Sequence, residues 1–246
     1  MSALRVVVVG WRGKMGGEVV QAVQSAGDLE YVGGVELGED LAAAFRSLRP
    51  DVAVDFTHPA SAMPDFRAMV AAGVRPVVGT TGFTPGDLEE ARALCRDRAL
   101  GGLIAPNFSL GAVLLMRFAA MAARWFPHVE IVELHHDRKA DAPSGTALKT
   151  AEVVARARAA APVPRAEDVR VTGARGGLWE GVPVHSIRLP GLVAHQEVIF
   201  GAEGQVLTLR HDTMDRKCFM PGVLLGIREV FKRRELVYGL ENLLPA

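Results

Sequence analysis

A chain of 246 residues, 49% hydrophobic and 23% charged, can build one large domain or two small ones around real hydrophobic cores. Its 28 basic side chains balance 28 acidic ones, so no global field draws in nucleic acid or anionic lipid. The opening run MSALRVVVVG is too short to span a bilayer and lacks the regions of a signal peptide, and Cys95 and Cys218 match neither a paired metal spacing nor CxxC. These features predict a cytoplasmic protein with no metal, no nucleic-acid partner and no membrane association.

LRVVVVG (4–10) is a continuous apolar run of the kind buried on both faces of a parallel sheet. A glycine-rich turn and a helix over residues 15–26 follow it. LEYVGGVE (29–36) predicts a second strand, LAAAFRSLR a short helix stopping before Pro50, and DVAVDFT (51–57) a third strand. SAMPDFRAMVAAG (61–73) is helical and RPVVGTT (75–81) is the fourth strand. TPGDLEEARALCRDRA opens with Thr84 as N-cap, Pro85 at the first helical position and acidic residues in the first turn. GGLIAPN (101–107) is the fifth strand. Repeated strand–helix units predict an α/β fold whose N-terminal part is a Rossmann-like doubly wound parallel sheet.

The rhythm changes after Asn107. SLGAVLLMRFAAMAARWF (109–126) is a long apolar helix, and the strand signals VEIVELH, VRVTGAR, PVHSIRLP, HQEVIFG and QVLTLRH then crowd together, with GAEG (201–204) as a hairpin turn. An α+β second domain with a mixed or antiparallel sheet is expected, and PVPRAED (162–168) reads as an exposed loop. MPGVLLGIREVFKRR (220–234) returns to a helical pattern that can pack back on the first domain. The expected division is 1–107 with 217–246 against 108–216.

GWRGKMGG (10–17) follows the first strand and opens a helix, with Gly10, Gly13 and Gly16 in a variant of the dinucleotide fingerprint. Small residues let backbone N–H groups approach a pyrophosphate at a helix N-terminus, and Arg12 and Lys14 add positive charge. Glu36, twenty residues after Gly16, ends the second strand where a carboxylate can accept both ribose hydroxyl protons. Leu37 in place of an arginine tilts the cofactor toward NADH, while Arg12 and Lys14 leave NADPH open. Trp11 is either exposed or a cover for the cofactor. DFTHP (55–59), GTTGF (79–83) and APNFS (105–109) are further loops at strand C-termini, where ligands bind in open α/β sheets. Gly79, Thr80 and Thr81 offer backbone and hydroxyl groups to a nicotinamide, and His58, which follows the first of these loops, can touch the cofactor.

ELHHDRKADAPSGTA (133–147) joins a strand to a helix and concentrates charge there. Ser144 can N-cap, leaving N–H groups of Gly145 and Thr146 which, with Lys139, form an anion site suited to a small dicarboxylate. His135 and His136 point to opposite sides of an extended strand end, so a shared metal is not expected. One of the pair can donate a proton and the other contact a carboxylate. His128, His185, His195 and His211 lie in strand-like stretches and suit structural roles.

The glycine loop, DFT, GTTG, APNFS, ELHHDRKADAPSGTA, RLPGLVAHQEVIFG, LRHDTMDR and FMPGVLL together resemble, nearly end to end, the dihydrodipicolinate reductases. These are also called 4-hydroxy-tetrahydrodipicolinate reductases and serve bacterial lysine and diaminopimelate synthesis. The resemblance implies NAD(P)H-dependent reduction of 4-hydroxy-tetrahydrodipicolinate to tetrahydrodipicolinate with loss of water. It makes His135 the proton donor and acceptor, and Lys139 a second donor and carboxylate partner. His136, Ser144, Gly145 and Thr146 would hold substrate. Gly10, Trp11, Arg12, Gly13, Lys14, Met15, Glu36, Phe56, Gly79, Thr80, Thr81, Ala105, Pro106, Asn107 and Phe108 would hold NADH and/or NADPH. It also implies a homotetramer assembled through the sheet of the substrate-binding and oligomerisation domain. Trp11 departs from the small residue usual in that loop, and Leu37 from the arginine of some members.

Two other readings compete. A two-domain dehydrogenase for another amino or keto acid would act on such an acid and not on the dipicolinate precursor. A dinucleotide-sensing regulator would bind cofactor with its His-Lys loop dispensable, although a sensor has no need of so many proton-transfer groups.

Overall fold

The computed structural model describes residues 3–158 and 168–245. The chain runs β1 (Leu4–Val9), α1 (Lys14–Ser25), β2 (Leu29–Val35), α2 (Leu41–Leu48), β3 (Val52–Asp55), α3 (Pro59–Ala71), β4 (Arg75–Val78), α4 (Pro85–Asp97) and β5 (Gly102–Ile104). It continues through α5 (Leu110–Ala122), β6 (His128–His135), α6 (Gly145–Ala157), β7 (Gly177–Trp179), β8 (Val182–Arg188), β9 (Ala194–Ala202) and β10 (Gln205–Thr213). It continues with α7 (Met220–Phe231) and β11 (Leu236–Tyr238), and a 3-10 turn over Leu240–Leu243 follows. These elements form two compact units, Met1–Leu110 with Arg216–Ala246, and Gly111–Asp215.

The first unit holds a six-stranded parallel sheet in the order β11-β5-β4-β3-β1-β2. Val6, Val7, Val8, Val52, Ala53, Val54, Val77 and Val78 have no exposed surface, as strands covered on both faces require. The sixth strand, β11, is an addition to the five expected. It pairs with β5 through Leu236, Val237 and Tyr238, and a three-residue strand leaves no periodicity to detect. Thr84 caps α4 in a reciprocal capping box with Asp87. Helix α3 starts earlier than expected, because His58 accepts the Ala60 N–H through Nδ1 and Pro59 takes the first turn. His58 is therefore a helix cap.

Among the described residues the second unit holds a five-stranded mixed sheet, β10-β9-β6-β8-β7, in which only β6 and β8 run parallel. One face carries α5 and α6. There Leu115, Ala119, Ala147, Ala151 and Val154 meet Val129, Ile131, Val184, Val198 and Phe200 in one buried core. The other face exposes Val206 (71%) and Leu178 (73%). GAEG closes β9 to β10 by a two-residue turn with Gly204 at φ 71°.

Two expectations are corrected here. VRVTGAR (169–175) is not a strand: every residue is exposed, and Gly173 (φ 83°) and Gly176 (φ 72°) fold the segment into turns before β7 begins. Helix α5 stops at Ala122, short of residue 126. PVPRAED lies, apart from Asp168, outside the described residues.

Candidate active site

In the first unit the glycine loop leaves β1 at Gly10, whose φ of 76° is costly for any residue with a Cβ. Gly10 N–H donates to the Val35 carbonyl (2.7 Å), pinning the loop to the end of β2, and Gly13 N–H donates back to the Gly10 carbonyl (3.1 Å). A Cβ on Gly16 would overlap the Gly10 carbonyl oxygen and lie 2.7 Å from the Trp11 Cα. Gly13 N-caps α1 without a side-chain hydrogen bond, and no acidic residue stands in the first turn. The helix therefore offers its N-terminal N–H groups, flanked by the exposed Arg12 and Lys14 with half-buried Met15, to an anion. This backbone cradle fits a pyrophosphate. Glu36 accepts the Arg12 backbone N–H (2.7 Å), which holds its carboxylate at the mouth of the loop.

Trp11 is half-buried, its ring seated against the bare backbone of Gly34 in β2, where a Cβ would collide with it. The Arg12 guanidinium lies over the ring, 5.0 Å from its centroid.

The neighbouring loops are built on Asp55, which is fully buried at the end of β3. It accepts from the Thr57 N–H and hydroxyl (both 2.7 Å) and from the Thr80 hydroxyl (3.0 Å). Burial nevertheless keeps its carboxyl above the usual range. Gly79 lacks a Cβ because the Phe56 ring occupies that space, and Phe56 stands 5.6 Å from the Phe108 ring. Thr80, Ala105 and Phe108 are buried, so these three positions offer backbone rather than side chain. Thr81 and Pro106 are exposed, and half-buried Asn107 accepts the Ser109 N–H (2.8 Å).

In the second unit Val129, Ile131, Glu133 and His135 share the helix-covered face of β6. Glu133 has no exposed surface. Arg188, its neighbour on β8, grips it with two parallel bonds, Nη1 to Oε2 (2.9 Å) and Nη2 to Oε1 (2.8 Å). The Ser144 N–H reaches Oε1 (3.3 Å), and the His135 Nδ1 is hydrogen-bonded to Oε2. Burial pushes the Glu133 carboxyl up, but hydrogen bonds from His135, Arg188 and Ser186 outweigh it and bring it down to about 2. The carboxylate is thus ionised and can only accept, which puts the shared proton on the His135 Nδ1 and leaves Nε2 for other work.

Arg188 also donates to the carbonyls of Lys139 (3.3 Å) and Asp141 (2.6 Å), so one guanidinium shapes the loop after β6. The Lys139 ammonium pairs with both Asp141 oxygens (2.7 and 2.8 Å), and this holds the Asp141 carboxyl below its usual range. Ser144 is buried and its hydroxyl accepts the Ala147 N–H (3.2 Å), capping α6 as expected. Gly145 is exposed and Thr146 half-buried at the open helix end. Half-buried His136 has a buried Nδ1 with no hydrogen-bond partner among the described residues. Of the remaining histidines, His185 pairs with Glu130 (2.7 Å) and His195 with Asp212 (2.7 Å).

The fold therefore gathers two sets. Gly10–Met15, Glu36 and the 79–81 and 105–108 loops belong to the first unit, and His135, His136, Lys139 and Ser144–Thr146 to the second. Sequence reasoning gave no role to Glu133, Asp141 or Arg188. The signal for Glu133 was a carboxylate in register with Val129 and Ile131 on a core-facing strand.

Residues 4–108 match the family described as dihydrodipicolinate reductase, N-terminus, and residues 111–244 the one described as dihydrodipicolinate reductase, C-terminus. A 4-hydroxy-tetrahydrodipicolinate reductase of Moorella thermoacetica is 50% identical over 99% of this chain and 99% of its own. One from Streptococcus suis is 51% identical over 98% of this chain and 99% of its own. A solved dihydrodipicolinate reductase from Paenisporosarcina sp. TG-14, with dipicolinate bound, is 43% identical. It superposes with a TM-score of 0.92, covering 98% of this chain and 100% of that one.

Proposed function

Since the chain belongs to the dihydrodipicolinate reductase family, we propose that it reduces 4-hydroxy-tetrahydrodipicolinate to tetrahydrodipicolinate with loss of water. What carries this reading is the loop between β6 and α6, where two histidines and a lysine stand beside an open helix N-terminus. A ring with two carboxylates matches that chemistry.

Bound NADH or NADPH supplies the hydride to ring C4. The balanced reaction consumes one proton and releases water, so an acid is required. As an imidazolium, His135 carries that proton on Nε2, its Nδ1–H being committed to Glu133. Lys139 exchanges Asp141 for a substrate carboxylate and serves as a second donor. The N–H groups of Gly145 and Thr146, with His136 and the Ser144 cap, hold the other carboxylate end. In the first unit Gly10–Met15 take the pyrophosphate, Glu36 the ribose, and the backbones of 79–81 and 105–108 the nicotinamide.

NADH is the favoured cofactor and NADPH the second. Leu37, 66% exposed, puts no charge beside Glu36 for a 2′-phosphate, while Arg12 and Lys14 remain close enough in sequence to serve one. The protein acts in the cytoplasm, consistent with Cys95 and Cys218 forming no disulfide among the described residues. It assembles as a homotetramer through the open face of the second sheet, and light scattering should return four times the chain mass of 26.3 kDa.

The test is oxidation of NADH, then NADPH, with substrate generated in situ by a synthase from pyruvate and aspartate semialdehyde. Oxidation that requires both proteins supports the reading and ranks the cofactors. Cofactor binding without oxidation would overturn it.

A further inference from the structure

We propose that Glu133 is a positioning residue for the reaction: it fixes the ring orientation and tautomer of His135, and Arg188 holds Glu133 and the Lys139 loop in one frame. The inference rests on the assignment of His135 as the acid.

Glu133 occupies a place that its strand neighbours fill with hydrocarbon. Val129 and Ile131, four and two residues before it on the same face, lie in the core beside α5 and α6. An ion here is strongly destabilising unless its lone pairs are met, whereas a branched aliphatic side chain would pack at no such cost. The fold meets the cost in full, with two bonds from Arg188, one from the Ser144 N–H and one from the His135 ring. The partners are not arbitrary. His135 is the acid, Ser144 starts the helix whose N-terminus faces the substrate, and Arg188 also binds the carbonyls of Lys139 and Asp141. A carboxylate that only accepts forces the proton onto the near nitrogen of His135. The far nitrogen is then the one that takes up a second proton and delivers it from the imidazolium, and the ring cannot flip without losing its bond to Glu133.

The single-site test is Glu133→Gln, which keeps the volume. One amide oxygen cannot accept from Arg188 and His135 as the carboxylate does. Turnover should fall about 100-fold or more, while NADH affinity stays unchanged. In a His135→Ala background the same change should lower turnover by less than about twofold, because its effect passes through the missing ring. Equal losses in both backgrounds would show a merely structural role and overturn the proposal, as would a folded Glu133→Gln enzyme with full turnover. Full turnover in His135→Ala alone would remove the acid assignment, and the positioning role with it. Loss in His135→Ala but not in Glu133→Gln would remove the positioning role only.

Arg188 left without its partner can prevent folding, so Glu133→Gln with Arg188→Met, which removes both charges together, is the second variant. It should show the same dependence on His135. The wild-type protein supplies a check that needs no variant. The ¹⁵N shifts of His135 under mildly alkaline conditions should report hydrogen on Nδ1, and hydrogen on Nε2 would overturn the proposal.

Discussion

Glu133 carries charge where its neighbours carry methyl groups, and this has a pH signature. Its carboxyl sits at about 2 in the fold against an ordinary 4.5. A depressed carboxyl stabilises the folded state above its ordinary value and loses that contribution as pH falls toward its folded value. The window is therefore from about 4.5 down to about 2, and the contribution is on the order of 3 kcal/mol. Urea unfolding at neutral pH and near pH 3 should show a smaller acid-induced loss for Glu133→Gln than for the wild type, and parallel losses would refute the link. Lys139 makes a separate prediction. Its ammonium is already paired with Asp141, so a substrate carboxylate must compete for it. Lys139→Ala should still raise the Michaelis constant about tenfold or more and lower turnover, since a charge-assisted bond is lost. Steady-state kinetics with both parameters unchanged would remove Lys139 from the site.

Among the elements, the glycine turn into α1 is the most exacting. Gly16→Ala places a methyl group against the Gly10 carbonyl and the Trp11 backbone, neither of which can yield like a flexible side chain. The expected cost is about 1–3 kcal/mol of stability and at least tenfold weaker NADH binding, measured by nucleotide fluorescence. Unchanged affinity would mean that the cradle does not bind the pyrophosphate. Legibility in the sequence followed the range of the interactions. The valine runs of β1, β3 and β4 were readable because burial on both faces leaves a continuous apolar word. The caps at Thr84 and Ser144 were readable because their partners lie three residues away. VRVTGAR imitated a strand through Val169 and Val171, which are exposed in turns. The Arg188 grip on Glu133 spans 55 residues and depends on β6 pairing with β8 in parallel, which no local pattern announces. Trp11 is explained by a gap at Gly34, visible only once β1 and β2 are side by side.

At the scale of the whole molecule, the first sheet is assembled from both ends of the chain. β11 seals the edge of β5, Gly102 N–H donates to the Glu235 carbonyl (3.1 Å) and Gly239 N–H to the Ile104 carbonyl (2.8 Å). Leu240, just beyond, has no exposed surface. Ending the chain after Phe231 should remove this edge and that side chain together, lowering stability by at least about 2 kcal/mol and promoting aggregation through the bared β5. Calorimetry and light scattering on the shortened chain test this, and an unchanged melting temperature would contradict it. The same connectivity sets an order of events during synthesis. The ribosome delivers Gly111–Asp215 as one uninterrupted stretch, whereas the parallel sheet waits for α7 and β11, which follow that stretch in the chain. The mixed-sheet unit can therefore finish on a nascent chain, while the nucleotide-cradle unit stays incomplete until α7 and β11 have been made. In a partly made polypeptide, protease resistance should thus appear first in the middle of the sequence and only afterwards at its beginning.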